Sequence, residues 1–212
     1  MSDLIGRSPV RPDQPVTVAG WEVTGRRSTA SLTLTDLSPL AKAGVRAPFD
    51  GGMARALGVP SGRCARDRTG ALVTGSGPGE WLVIGPAGAG PAQRQRLAAL
   101  AAEAAGGDLV TVLDLTHGRA LLGLTGQAAA AVLAKLCGID LADAVVPNGA
   151  AFRSSVAKLV TDVVRDDQDS PAGPVPSYLL HCDRSYGQYL FDVLLDAGAE
   201  FGIDVDGFRV TG

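Results

Sequence analysis

Leu34-Thr35-Asp36-Leu37-Ser38 and Val112-Leu113-Asp114-Leu115-Thr116 are two versions of one phrase, an apolar strand that runs into Asp-Leu-(Ser/Thr). Outward from them the echo continues. Ala71-Leu72-Val73-Thr74 recurs as Lys158-Leu159-Val160-Thr161, and Trp81-Leu82-Val83-Ile84 as Tyr178-Leu179-Leu180-His181. Self-similarity at this scale constrains the fold before any single residue does. Each copy also closes on a helical pattern. Pro91 stands at a helix N1 position ahead of Leu97, Leu100, Ala101 and Ala104, with Gly106-Gly107 as the stop. Ser185 and Gln188 have capping-box spacing ahead of Leu190, Val193, Leu194 and Ala197, with Gly198 as the stop.

A further helix is expected over residues 126–137, with a shorter counterpart around Asp50 to Leu57. Each copy then reads strand–strand–helix–strand–strand–helix, which makes an α+β domain with an internal pseudo-repeat. The halves are 31–107 and 108–204, within a single domain 31–212. From Leu72 to Trp81 is nine positions and from Leu159 to Tyr178 is nineteen. The acidic, proline-rich segment 166–176 accounts for the excess and reads as an inserted, solvated loop. Residues 1–30 carry Pro9, Pro12 and Pro15 with little periodicity, so an extended arm is expected there. Trp21 is its one large apolar anchor, for a partner chain or for its own domain.

Composition removes several classes of function. With 46% apolar and 19% charged residues, the chain is globular. A net charge of −3 supplies no basic stripe for nucleic acid. No window is long and apolar enough for a membrane span, and the N-terminus has no signal-like apolar run. Three widely spaced cysteines, Cys64, Cys137 and Cys182, fit a reducing cytoplasm.

No cofactor cradle is legible. Gly75, Gly77 and Gly79 are wrongly spaced for a dinucleotide turn and precede a strand. Gly85, Gly88 and Gly90 precede a helix but are interrupted by Pro86. His117, His181 and the cysteines lack metal-ligand spacing, the neighbours His181 and Cys182 point to opposite faces of an expected strand, and no histidine lies near Cys64 in sequence. Cys64, between Arg63 and Arg66, is the one thiol in a cationic setting of the kind that lowers a pKa, although a surface loop cysteine is the plainer reading. Arg119, in His117-Gly118-Arg119, and Arg184, in Asp183-Arg184-Ser185, are forks suited either to a carboxylate or to a solvated turn and cap. Asp162 is the single acid on an expected strand from Ala157 to Val164, and needs a partner if it is buried.

Several of these runs resemble the gamma subunits of heterotetrameric sarcosine oxidase. They are Val112 to Leu122, Val132-Leu133-Ala134-Lys135-Leu136-Cys137, Asp183-Arg184-Ser185-Tyr186-Gly187-Gln188-Tyr189-Leu190 and Gly79-Glu80-Trp81-Leu82. Asp36-Leu37-Ser38 with Lys42, and Leu159 to Asp162 followed by Tyr178-Leu179-Leu180, resemble the folate-binding fold of glycine-cleavage aminomethyltransferases. That resemblance implies a pterin-contacting acid at Asp162, with Gly75 at the matching place in the first half. The first resemblance implies a chain without catalytic residues or a cofactor of its own. It would assemble with alpha, beta and delta subunits that hold FAD, FMN, NAD and tetrahydrofolate. The complex would demethylate sarcosine to glycine, releasing hydrogen peroxide and capturing the one-carbon unit on tetrahydrofolate. Trp21, His117, Arg119 and Arg184 are the expected partner contacts. The alternatives are a stand-alone folate-binding protein and the same subunit of another N-methyl amine oxidase.

Overall fold

The computed structural model describes residues 4–104 and 106–210. The chain begins with three short strands, β1 (Gly6–Arg7), β2 (Pro15–Val18) and β3 (Trp21–Thr24), forming a sheet in the order β1-β3-β2. Residues 1–30, read from sequence as an extended arm, therefore contain a small sheet. Pro15 fits because it is the first residue of an edge strand, where no ladder amide is lost. Trp21, Val23 and Phe208 bury themselves together under this sheet.

The first half continues with β4 (Leu32–Asp36), β5 (Ala41–Arg46), α1 (Gly52–Leu57), β6 (Cys64–Arg66), β7 (Leu72–Gly77), β8 (Glu80–Gly85) and α2 (Gly90–Ala104). The second has β9 (Thr111–Asp114), β10 (Arg119–Gly126), α3 (Ala129–Ala134), β11 (Ala151–Val156), β12 (Leu159–Arg165), β13 (Ser177–Asp183) and α4 (Gly187–Gly198). β14 (Asp204–Asp206) follows. The fold is α+β, as expected, but each half carries one more strand than its apolar runs announced. β6 is only three residues long, and β11 reads Ala-Phe-Arg-Ser-Ser-Val with no apolar run. Ala157 and Lys158, both at positive φ, form the two-residue turn joining β11 to β12. That turn occupies the start of the strand expected from Ala157.

Two larger sheets result, in the orders β11-β12-β13-β10-β4-β14 and β6-β7-β8-β5-β9. The strand that opens each half pairs in the other half's sheet: β4 lies against β10, and β9 against β5. Helices α3 and α4 bury their apolar stripes on the six-stranded sheet, and α1 and α2 on the five-stranded one. Leu72, Leu82 and Ile84 meet Leu121, Val164 and Leu179 between the sheets.

The Asp-Leu-(Ser/Thr) turns make this exchange possible, because a strand leaving its own half must satisfy its backbone in the other. Asp36 Oδ1 accepts from Ser38 N at 3.0 Å, and Asp114 Oδ1 from Thr116 N at 2.9 Å. Leu37 N donates to Leu121 O and Leu115 N to Lys42 O, both at 2.8 Å. In return Leu121 N donates to Ser38 Oγ at 3.2 Å, and Lys42 N to Thr116 Oγ1 at 3.1 Å. Each turn leucine then lies over a glycine. A Cβ on Gly123 would stand 2.8 Å from Leu37 Cδ1, and one on Gly44 would stand 2.9 Å from Leu115 Cδ1. A side chain at either glycine would push its leucine aside.

Local departures have local causes. The helix expected over 126–137 is confined to α3, because Gly126 is still in β10 and Leu136–Cys137 turn back toward β11, where Cys137 bridges Val156. Ser185 and Gln188 form no capping box. A 3-10 turn over Arg184–Tyr186 precedes α4, and Gln188 instead accepts from Arg11 N at 2.7 Å. The inserted segment 166–176 is not wholly solvated: Asp167 is buried against Arg165 at 3.0 Å.

Ser38→Ala and Thr116→Val each leave one buried amide in the shared turns without an acceptor. Each is expected to lower unfolding free energy by ~1–3 kcal/mol in urea titrations. Thr125→Val, in β10 outside the turns, should cost less.

Candidate functional site

The two sheets do not close on each other along their whole length. A cleft of about 400 Å³ opens between them, walled by β5, β8 and β9 on one side and β10 to β13 on the other. Asp162 sits in its wall and is only 5% exposed. Ladder register delivers its partners, since Asp162 faces Arg153 across β11 and His181 across β13. Arg153 Nε donates to Asp162 Oδ1 at 2.7 Å, and His181 Nδ1 lies 3.3 Å from Oδ2. Burial pushes the Asp162 carboxyl up, but the bonds from His181 and Arg153 more than reverse it, so its pKa falls below the usual aspartate value.

The network crosses between the sheets. Arg153 Nη1 donates to Glu80 Oε2 at 3.0 Å, and Glu80 Oε1 takes Arg46 at 3.1 Å. Arg119 bonds Asp183 and lies 3.9 Å from Asp162. Three guanidinium groups thus face three carboxylates in a closed set. Arg153 and Glu80, on opposite walls, form an ionic staple holding the sheets together. Two buried atoms beside this cleft, His181 Nε2 and Arg119 Nε, have no partner among the described residues. Burial holds the His181 ring neutral despite the nearby Asp162. Its Nδ1 therefore carries the proton given to Asp162, and Nε2 is a bare acceptor.

Of the residues picked from sequence, Asp162 and Arg119 line this cleft, and the other three do not. Trp21 is 5% exposed and stacks on His117, with ring centroids 4.6 Å apart. Arg184 donates to His117 O at 3.4 Å and to Arg7 O. Trp21, His117 and Arg184 therefore fasten the small N-terminal sheet to the turn before β10. Arg153, Glu80 and Arg46 were missed. Only the pairing of Arg153 with Asp162 across a two-residue turn was available in the sequence, and it required seeing β11.

Two other groups answer the sequence reading. Lys42 is buried, with Nζ on Ser38 O at 2.7 Å and Leu40 O at 2.9 Å, and burial lowers its pKa to about 7. Cys64 is not activated by Arg63 and Arg66: burial and then Asp166 outweigh them and push the thiol up to about 11. Among the described residues no group of three or more metal-ligating side chains is assembled. No described helix is long and apolar enough to cross a membrane.

The model of the sarcosine oxidase, gamma subunit family matches residues 55–200. The sarcosine oxidase subunit gamma of Corynebacterium sp. (strain P-1) is 32% identical over 85% of this chain and 87% of its own length. This chain belongs to that family. The subunit gamma of an Arthrobacter species is 37% identical over 57% of this chain and 61% of that protein. Among solved structures, a chain of the heterotetrameric sarcosine oxidase of Corynebacterium sp. U-96, in complex with pyrrole 2-carboxylate, superposes with a TM-score of 0.68. It is 27% identical, over 82% of this chain and 88% of that one. The glycine cleavage system aminomethyltransferase T of Bartonella henselae shares the fold, with a TM-score of 0.67 at 19% identity, over 92% of this chain and 55% of that one.

Arg153→Met should cost about 1.5–3 kcal/mol at neutral pH, the usual value of a hydrogen bond to a charged group. The sign with pH follows from Asp162. Its depressed pKa contributes stability that is present above the ordinary aspartate value near 3.8 and lost as pH falls through the folded value. The gap between native and variant proteins should therefore stay level from pH 7 to about 4 and narrow only as pH falls below the ordinary aspartate value, measured by urea unfolding at each pH.

Proposed function

We propose that this chain is the non-catalytic gamma subunit of a heterotetrameric sarcosine oxidase in the cytoplasm, assembled with alpha, beta and delta subunits. The complex oxidatively demethylates sarcosine to glycine, gives hydrogen peroxide, and passes the one-carbon unit to tetrahydrofolate. FAD, FMN, NAD and tetrahydrofolate belong to the partner subunits. The observation that carries the reading is the closed ionic set in the cleft. Asp162, the acid at the folate-type position, already has its two oxygens engaged by Arg153 and His181. Its charge is spent on joining β11, β12 and β13, so it is a poor acceptor for a pterin. We also read the two halves as pseudo-equivalent, a reading supported by their matching strand orders and reciprocal turn bonds.

A second reading, an independent folate-binding protein, is favoured by one observation. His181 Nε2 is an unused acceptor beside a cleft, in a fold shared with an aminomethyltransferase. Calorimetry separates the two. The first reading expects no heat when tetrahydrofolate is added to the isolated chain. The second expects binding that Asp162→Ala weakens by about 1–3 kcal/mol.

Co-expression with the large flavoprotein subunit provides the direct test. The isolated chain should show no sarcosine-dependent oxygen uptake, and uptake should appear in the co-purified complex. Oxygen uptake by the lone chain would end the subunit reading.

A further inference from the structure

Each large sheet ends at the strand received from the other half, but the two ends are finished differently. Outside β4 lies β14, parallel to it, in the register Asp204 to Thr33, Val205 to Leu34 and Asp206 to Thr35. The chain then runs on through Gly207, Phe208 and Arg209, which with Thr33 and Thr35 wall a second intersheet cleft of about 470 Å³. Outside β9 no further strand of the described residues pairs: β9 bonds to β5 alone, with α2 packed against its face. The bond from Leu115 N to Lys42 O sets the antiparallel alternation. The amides of Thr111 and Leu113 face β5, and those of Val112 and Asp114 face outward. Thr111 and Leu113 line the 400 Å³ cleft as Thr33 and Thr35 line the other. At this open edge Leu113 is 51% exposed, and Leu109, just before the strand, is 85% exposed.

We infer that the open edge of β9 receives an extended segment from a partner subunit, which adds as a parallel strand and extends the wall of its cleft as β14 and its continuation extend the wall of the other. This rests on the subunit reading above. The segment alternates in the usual two-residue period, with an apolar side chain on the cleft side to cover Leu113. The occupant is argued from the molecule's own precedent. An unpaired edge with apolar side chains is a template for pairing, and the strand that fills the corresponding edge is parallel. Two identical edge strands related by a two-fold axis pair antiparallel, so a second copy of this chain does not reproduce that arrangement.

Hydrogen–deuterium exchange on the isolated chain and on the co-purified complex tests the inference. The Val112 and Asp114 amides should exchange at least tenfold more slowly in the complex, and that of Leu34, already covered by β14, should be slow in both. Leu113→Lys should raise the dissociation constant for assembly at least tenfold while leaving the melting temperature of the isolated chain unchanged. If the complex forms and the two edge amides exchange at the same rate as in the free chain, the inference fails and the subunit reading stands. If the large subunit does not bind at all, both fail. Slow exchange of these amides in a homodimer, without any partner, also overturns it.

Discussion

Everything else in this molecule depends on a reciprocal exchange of strands. β4 leaves the first half to lie beside β10, and β9 leaves the second to lie beside β5. Neither large sheet is complete within its own stretch of chain. The exchange is held by a small set of backbone and hydroxyl bonds, in which each Asp-Leu-(Ser/Thr) turn donates an amide to the opposite half and accepts one back. These groups are buried, so losing any one of them exposes an unsatisfied partner rather than a bond that water can replace. Leu37 over Gly123 and Leu115 over Gly44 then pack against the apolar cluster between the sheets.

The sheets leave a cleft of about 400 Å³ between them, whose wall carries charge as well as hydrocarbon. Glu80 from one sheet and Arg153 from the other meet there, with Asp162 and His181 behind Arg153. In a catalytic site one would look for a group held ready with an unspent charge. Here the guanidinium and carboxylate groups are matched. The arrangement stabilises a relative position of two sheets, which is what a subunit needs in order to present a fixed surface.

Much of this was legible in the sequence. The doubled Asp-Leu-(Ser/Thr) phrase, the two closing helices and the insert at 166–176 were all marked by local pattern. Four things were not. β6 and β11 are short or polar edge strands that no apolar period announces. The staple from Glu80 to Arg153 joins residues far apart in sequence, and only sheet packing brings them together. Trp21 was legible as an anchor but not its partner, because the stack on His117 depends on where the first sheet lands. The exchange of β4 and β9 was equally hidden, since repetition in sequence says which segments are alike but not which sheet each one joins.

If each sheet is finished by the other half, the two cannot open separately. Native-state hydrogen exchange in increasing denaturant tests this at Val83, in the middle of the five-stranded sheet, and Leu180, in the middle of the six-stranded one. The strand exchange predicts that both amides report the same opening free energy and the same denaturant dependence. Opening of one sheet at markedly lower free energy, with the other still protected, would contradict it.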